Sequence, residues 1–389
     1  MQTAGEAAEN FAMLKLRLAK LGVSVGDASL ARAAPLELVL PDESWVRVRI
    51  ESSSPLVLFG NEEAMVRDGE GEYPVRVAAQ AEFVTRKNPR RELLGSLAQI
   101  RGLYALVALD GGCGLSDVGR TCSLCLGREL TQAGGQWWPV DEVVEALGAA
   151  FDEGVAEFVH FNLGYVPGDD AGVSRLGPYV EAVRRYFDAR IGVTMHPPAM
   201  LRAIDASYAM GFDVVCYSLE AAGADALERS FPGRARFIGR HRYLDALRHA
   251  AAIFPSGAVW SELAMGLDSP EQTMQTIAEL AAAKVVPLLS LPQASPCDSW
   301  PAAAMAQVAT ALFEETLRNG INMSWARDLS TALTPLEARY FVSDAPQLPV
   351  LLNQISRNRL GALATRSLAR LRRRLRVRRV RASFDSSRL

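Results

Sequence analysis

The sequence predicts an α/β protein: a parallel sheet with helices packed outside it, either an open doubly wound sheet or a barrel. Two observations carry this. From Leu103 onward, short apolar runs alternate with longer amphipathic segments about six times. The runs are LYALVAL (103–109), AEFVHFN (156–162), IGVTM (191–195), DVVCYSL (213–219), AVWSELAM (258–265) and VVPLLSL (285–291). They are too short and too uniformly apolar for amphipathic helices, as expected of strands buried on both faces. The second observation is what lies between them. DEVVEALGAAFDEG, PYVEAVRRYFDAR, AMLRAIDASYAMG, HRYLDALRHAAAIF and PEQTMQTIAELAAA each space apolar residues at a helical period. Strand–helix–strand units in this order build parallel sheets.

The flanking segments read differently. Residues 5–21 have helical spacing at Phe11, Leu14, Leu16 and Leu18, and Gly22 stops them. LELVL, WVRVRIE, PLVLF and YPVRVAA, between residues 36 and 80, are β-rich and separated by turn clusters, which predicts a small antiparallel unit. RRELLGSLAQIRG (90–102) reads as a connecting helix, and AAAMAQVATALFEETLRNG (302–320) as a helix after the last strand. The expected division is 1–100 for the N-terminal helix and β unit, 101–322 for the β/α body, 323–356 for a C-terminal extension and 357–389 for an Arg-rich tail.

Charge sharpens that division. The 389 residues hold 42 Lys+Arg against 44 Asp+Glu, a net −2. Residues 357–381 contain eleven arginines and no acid, so the remainder carries about −13. Leu360, Leu363, Leu368, Leu371 and Leu375 recur among those arginines at roughly helical spacing. A basic helical tail of this kind suits an anionic partner or membrane surface, or a fold back over the acidic body. It has no aromatic residue before Phe384, so base stacking, and with it a nucleic-acid role, is poorly supported. The N-terminus carries acids before its apolar residues and no apolar stretch reaches 18 residues, so a cytoplasmic location is expected.

The five cysteines are too few and too odd in number for a disulfide scaffold. Three of them, Cys113, Cys122 and Cys125, fall within 13 residues in GGCGLSDVGRTCSLCLG, directly after the first strand of the β/α series. Thiolates clustered on a Gly-rich loop at a strand's C-terminal end suggest a soft-metal or Fe–S site. Zinc prefers a fourth protein ligand, and no His or Cys follows within 30 residues. A zinc-stabilised binding protein, using its tail on an anionic polymer or membrane, stays open as the alternative.

On these residues the chain resembles the radical SAM superfamily, in its biotin-synthase-related branch, which is also similar to the radical SAM maturase of [FeFe]-hydrogenase. The resemblance runs over roughly residues 100–300. It rests on the CX8CX2C loop, the strand DVVCYSLE ending in Glu220, the segment ALERSFPGRARFIGRHRYLDALRHAAAIF, and SGAVWSELAMGLDSPEQTMQTIAELAAAKVVPLLSL. The family's usual spacing is CX3CX2C, its residue before the third cysteine is often aromatic where Leu124 stands, and its Gly-Gly-Glu-like segment reads FNLG here.

The resemblance implies a partial (β/α)6 TIM-type barrel with a [4Fe–4S] cluster and S-adenosylmethionine at the C-terminal ends of the strands. Cys113, Cys122 and Cys125 would ligate the cluster. Leu124, Asn162, Ser218, Glu220, Arg240, Arg242 and Gly266 would contact S-adenosylmethionine: Leu124 and Gly266 the adenine, Asn162 the methionyl amine, Arg240 or Arg242 its carboxylate, and Glu220 ribose hydroxyls or the ammonium. Ser218 faces the same side as Glu220 by strand period. The reaction implied is reductive cleavage of S-adenosylmethionine and hydrogen abstraction from a small-molecule substrate, with an electron donor such as flavodoxin or ferredoxin. His196, before Pro197-Pro198, and Cys297, on the loop after the sixth strand, are weak catalytic candidates. His160 lies near a strand end, and Cys216 reads as a buried small hydrophobe.

Overall fold

The computed structural model describes residues 10–26, 35–60, 64–69, 71–109, 112–123, 137–291 and 300–357. Leu124, Cys125, Cys297 and the Arg-rich tail lie outside the described residues.

The N-terminal unit is a six-stranded sheet. Its strands are β1 (Ser24–Val25), β2 (Leu36–Val39), β3 (Trp45–Val48), β4 (Leu56–Phe59), β5 (Ala64–Asp68) and β6 (Gly71–Val77). They lie in the order β1-β4-β5-β6-β2-β3, antiparallel except where β1 runs parallel to β4. β5 (AMVRD) escapes sequence reading because its five residues show no apolar–polar alternation, although their burial alternates. Val23 bridges Ile50 just beyond β3, so the two ends of the sheet meet. The Phe11–Leu21 helix packs on β3 and on the C-terminal extension, and one continuous apolar core runs from Leu14 to Leu336.

The β/α body is an α/β partial barrel, an open curled sheet of eight strands. Its parallel core is β8 (Tyr104–Ala108), β9 (Phe158–Asn162), β10 (Arg190–Thr194), β11 (Val214–Cys216), β12 (Val259–Ala264) and β13 (Val286–Ser290). These are the six apolar runs, with ends that differ by up to three residues; β10 begins one residue before its run, at Arg190. Neighbours pair in sequence order, Tyr104 with Phe158, Arg190 with Phe158, Cys216 with Trp260, and Trp260 with Val286. The connecting helices cover the outer face. The Val140–Asp152 helix begins with Asp141 and Glu142, which suit its N-terminal dipole. The Pro270–Ala282 helix starts with Pro270 and a capping box between Ser269 and Gln272.

Two antiparallel strands close the edges, and neither is evident in the sequence. β14 (Ala332–Leu333) pairs with β13. β7 (Gln99–Arg101) pairs with β8 as a hairpin, which corrects the expected helix over 90–102. Only Leu94–Leu97 is helical there, a single turn pressed so tightly on Val84 that a Cβ at Gly95 would sit 2.7 Å from that side chain. Gly102 then turns the chain with φ +58°, where the carbonyl of Asp328 leaves no room for a side chain.

The barrel interior changes character along its axis. Tyr104, Phe158, Val214, Cys216, Trp260, Val286 and Leu288 fill it with apolar side chains. Ser218, Glu220 and Glu262 lie toward the C-terminal strand ends. The polar end is therefore the one where β/α folds carry chemistry.

Candidate active site at the C-terminal end of the barrel

Cys113 follows β8 and begins a short helix, Gly114–Asp117. Two hydrogen bonds fix it to the loop after β9. The Tyr165 N–H donates to Cys113 Sγ at 3.2 Å, and the Gly114 N–H donates to the Tyr165 carbonyl at 2.9 Å. A Cβ at Gly114 would lie 2.8 Å from that carbonyl, so glycine lets the loop close.

Further along, Cys122 is buried against Leu115, Ala221, Ala226, Leu227 and Phe231, with Cys113 and Tyr165 packed on the same cluster. The Ser123 N–H donates to the Ser230 carbonyl at 2.9 Å. The cysteine loop is thus seated on the helices Ala224–Ser230 and Pro232–Phe237. Gly233 permits this, since a Cβ there would be 2.7 Å from the carbonyl of Arg120.

Beneath the loop lies a buried polar group centred on Tyr243, whose side chain is fully enclosed. Its hydroxyl shares a 2.7 Å hydrogen bond with His196 Nδ1. Burial pushes that phenol well above its usual range, with Arg234 opposing, and Glu220, Cys122 and Cys113 close enough to add to the rise. Burial, with the Arg234 charge, lowers His196 well below an ordinary imidazole, so it is neutral. The Tyr165 ring stands 5.9 Å from His196.

Glu220 sits at the end of the strand containing β11 with φ +63°, a left-handed backbone unusual for a side chain of this size. Its N–H donates to the Glu262 carbonyl and its carbonyl accepts from the Ala264 N–H, so β12 holds the turn on both sides. Arg234 Nη1 approaches Glu220 Oε1 at 3.8 Å and donates to the Ser218 carbonyl at 3.2 Å. Burial raises the Glu220 carboxyl and Arg234 draws it back. Glu262 is pushed up to about 8, first by burial and then by Glu220. One guanidinium faces two carboxyl groups, and at neutral pH the pair is relieved by a proton on Glu262.

The remaining residues expected from the sequence are spread more widely. Asn162 is the partly exposed last residue of β9, in register with Ala108 and Thr194. Ser218 is buried, 3.3 Å from Cys216 Sγ. Gly266 follows β12 with φ +82°. Arg240 is engaged elsewhere: Nη2 binds Glu279 at 2.6 Å and Nε donates to the Ala222 carbonyl. Arg242 lies half-buried on the same helix, Arg240–Ile253. His160 is deeper, bonded to Thr194 Oγ1 at 2.8 Å and stacked on Trp260, and burial lowers it to about 4. Cys216 is fully buried, and its thiol is raised far above its usual value.

The structure therefore brings Cys113, Cys122, Glu220, Ser218 and His196 to one end of the barrel. Arg234, Glu262 and Tyr165 join them without having been singled out. Glu262 leaves a trace in the sequence as the one charged residue of a largely apolar strand, VWSELA. Arg234, in a run with Arg236, leaves none. Among the described residues, no three His, Cys, Asp or Glu side chains form a ready-made metal cage.

No protein-family model matches the chain, and neither does any curated protein. Among solved structures, it is similar to the FeFe-hydrogenase maturase HydG from Carboxydothermus hydrogenoformans, at 15% identity and a TM-score of 0.43, over 56% of this chain and 52% of that one. It is also similar to methylornithine synthase (PylB), at 13% identity and a TM-score of 0.41, over 57% of this chain and 71% of that one. A second HydG structure, a maturase of the [FeFe]-hydrogenase, aligns at 12% identity and a TM-score of 0.41, over 57% of this chain and 52% of that one. The matched region spans about half the length of the HydG chains.

Proposed function

We propose that the protein is a radical SAM enzyme acting on a small molecule. The observation that carries the reading is the seating of Cys113 and Cys122 together at the C-terminal mouth of the barrel, beside a buried carboxylate–guanidinium group. Two thiols on a Gly-containing loop, one already accepting a backbone N–H at sulfur, suit an iron–sulfur cluster. Cys125 supplies the third thiolate of the set. A [4Fe–4S] cluster held there with S-adenosylmethionine would supply one-electron chemistry for hydrogen abstraction from a substrate.

The chain's own residues do the rest. The Tyr165 N–H and the Gly114–Tyr165 bond hold the cysteine loop against the sheet. Arg234 holds the Ser218 carbonyl and the Glu220 carboxylate in place at the mouth, while Arg240 is bound to Glu279. Glu220 accepts, and protonated Glu262 can donate. Below them Trp260, Phe158 and Leu288 exclude water from the barrel floor. A one-electron donor such as flavodoxin or ferredoxin completes the requirements.

Anaerobic iron and sulfide reconstitution tests this. The expected results are a [4Fe–4S] absorbance and formation of 5′-deoxyadenosine from S-adenosylmethionine with dithionite. Cys113→Ala and Cys122→Ala should each abolish both. Zinc at one per chain with no iron in anaerobically purified protein would overturn the reading in favour of a zinc-stabilised binding protein.

A further inference from the structure

The last described helix, Leu348–Arg357, turns an apolar face to solvent. Leu348 is 63% exposed, Leu351 51%, Leu352 50% and Ile355 50%. Their spacing of three, four and seven residues places them on one side of the helix. The opposite side holds the helix to the body: Asn353 is buried, Val350 packs on the main core, and the helix rests against Met323–Trp325. Scattered exposed leucines are ordinary, but four in a row on one helix are not. The helix has no acidic residue, and Gln347 and Gln354 are its uncharged neighbours.

The adjoining sequence identifies an occupant for that face. Residues 357–381 carry eleven arginines and no acid, beginning where the helix ends. An aliphatic helix face joined to a cationic run is the composition that inserts into the headgroup boundary of an anionic bilayer. A second copy of the chain fits less well, because pairing these helices would bring two such arginine runs together. A nucleic acid would neutralise the arginines and leave the four aliphatic side chains in water. Among the described residues no helix is long and apolar enough to cross a membrane, so contact through this helix is contact at the surface.

We propose that the Leu348–Arg357 helix, acting with the arginines that follow it, is a docking surface for anionic lipid membranes. Its position gives the contact an orientation. The helix packs at the N-terminal end of the barrel strands, where the Tyr104 hydroxyl binds the Arg327 carbonyl, whereas Cys113 follows the C-terminal end of the same strand. Docked in this way, the protein turns its cysteine mouth away from the lipid.

The test is flotation of the full chain with phosphatidylcholine vesicles made with and without phosphatidylserine. Binding is expected only with phosphatidylserine, and is expected to weaken at least tenfold between about 0.1 and 0.5 M salt. The Leu351→Glu/Ile355→Glu variant should lose tenfold or more of it with an unchanged circular-dichroism spectrum, since both side chains already face water. Three results would each overturn the proposal: equal binding to neutral vesicles, binding insensitive to the double substitution, or no vesicle binding together with a dimer that the double substitution dissociates.

Discussion

Glu262 keeps its proton at neutral pH because burial disfavours its charge and Glu220 stands beside it, and this ties one residue to the pH dependence of the fold. In the unfolded chain it ionises near the ordinary glutamate value of about 4.3. In the folded chain it does so near 8. Between those limits the folded state binds the extra proton, so stability falls as pH rises through the window and is level on either side. Glu262→Gln removes the ionisation while keeping the shape. Urea midpoints of the two proteins should differ little at about pH 5, and the variant should be the more stable at about pH 8.5. Equal slopes would mean that Glu262 is charged throughout. The legibility of the site also divides at this scale. Cys113 and Cys122 are visible in the sequence because their spacing is itself the signal. Glu220 is visible because it ends a strand-like run. Arg234 is not, because only the packing of its helix against Ser218 and Glu220 decides which of several nearby arginines turns inward.

At the scale of elements, the parallel strands are legible because burial on both faces leaves a mostly apolar run, as in YALVA and VPLLS. The edge strands β7 and β14 have two or three residues, too few to show any period, and their pairing depends on neighbours far away in sequence. Gly192 shows what alternation along a strand can conceal. It sits mid-strand in β10, where glycine weakens a sheet, and its reason is His160 on the adjacent strand. A Cβ at position 192 would lie 2.4 Å from His160 Nδ1. The imidazole cannot swing clear, held as it is by Thr194 on one side and Trp260 on the other. Gly192→Ala is therefore expected to cost about 1–3 kcal/mol, the usual penalty of forcing an extra carbon into a packed core. Chemical denaturation measures it. A loss below about 0.5 kcal/mol would show that His160 has room to move.

At the scale of the whole molecule, the N-terminal unit is tied to the barrel by a buried ion pair. Lys15, with no exposed surface, donates to Glu337 Oε1 and to the Leu329 carbonyl, each at 2.8 Å. It reaches from the first helix to the extension beyond β14. Glu337 is engaged on its other oxygen by the Thr334 N–H, as part of a capping box. Burial raises the Glu337 carboxyl, and Lys15 is the main influence drawing it down. Lys15→Met removes that influence and strands a buried carboxylate, a loss of about 3–5 kcal/mol at neutral pH. Without the ammonium the folded-state carboxyl moves further above its unfolded value, so the deficit opens as pH rises from about 4.3 and narrows in acid, where Glu337 is neutral in both states. Glu337→Gln in the Lys15→Met background keeps an oxygen for the Thr334 N–H and removes the stranded charge. It should recover half or more of the loss at neutral pH and abolish the narrowing in acid. The Leu329 carbonyl stays without its Lys15 donor in both variants, which sets the part that is not recovered. If the double variant is no more stable than Lys15→Met, the cost lies in the lost packing of the lysine stem rather than in the charge. The two units would then be joined by their shared apolar core and by their remaining polar contacts, such as the Arg47 N–H on the Ser330 carbonyl.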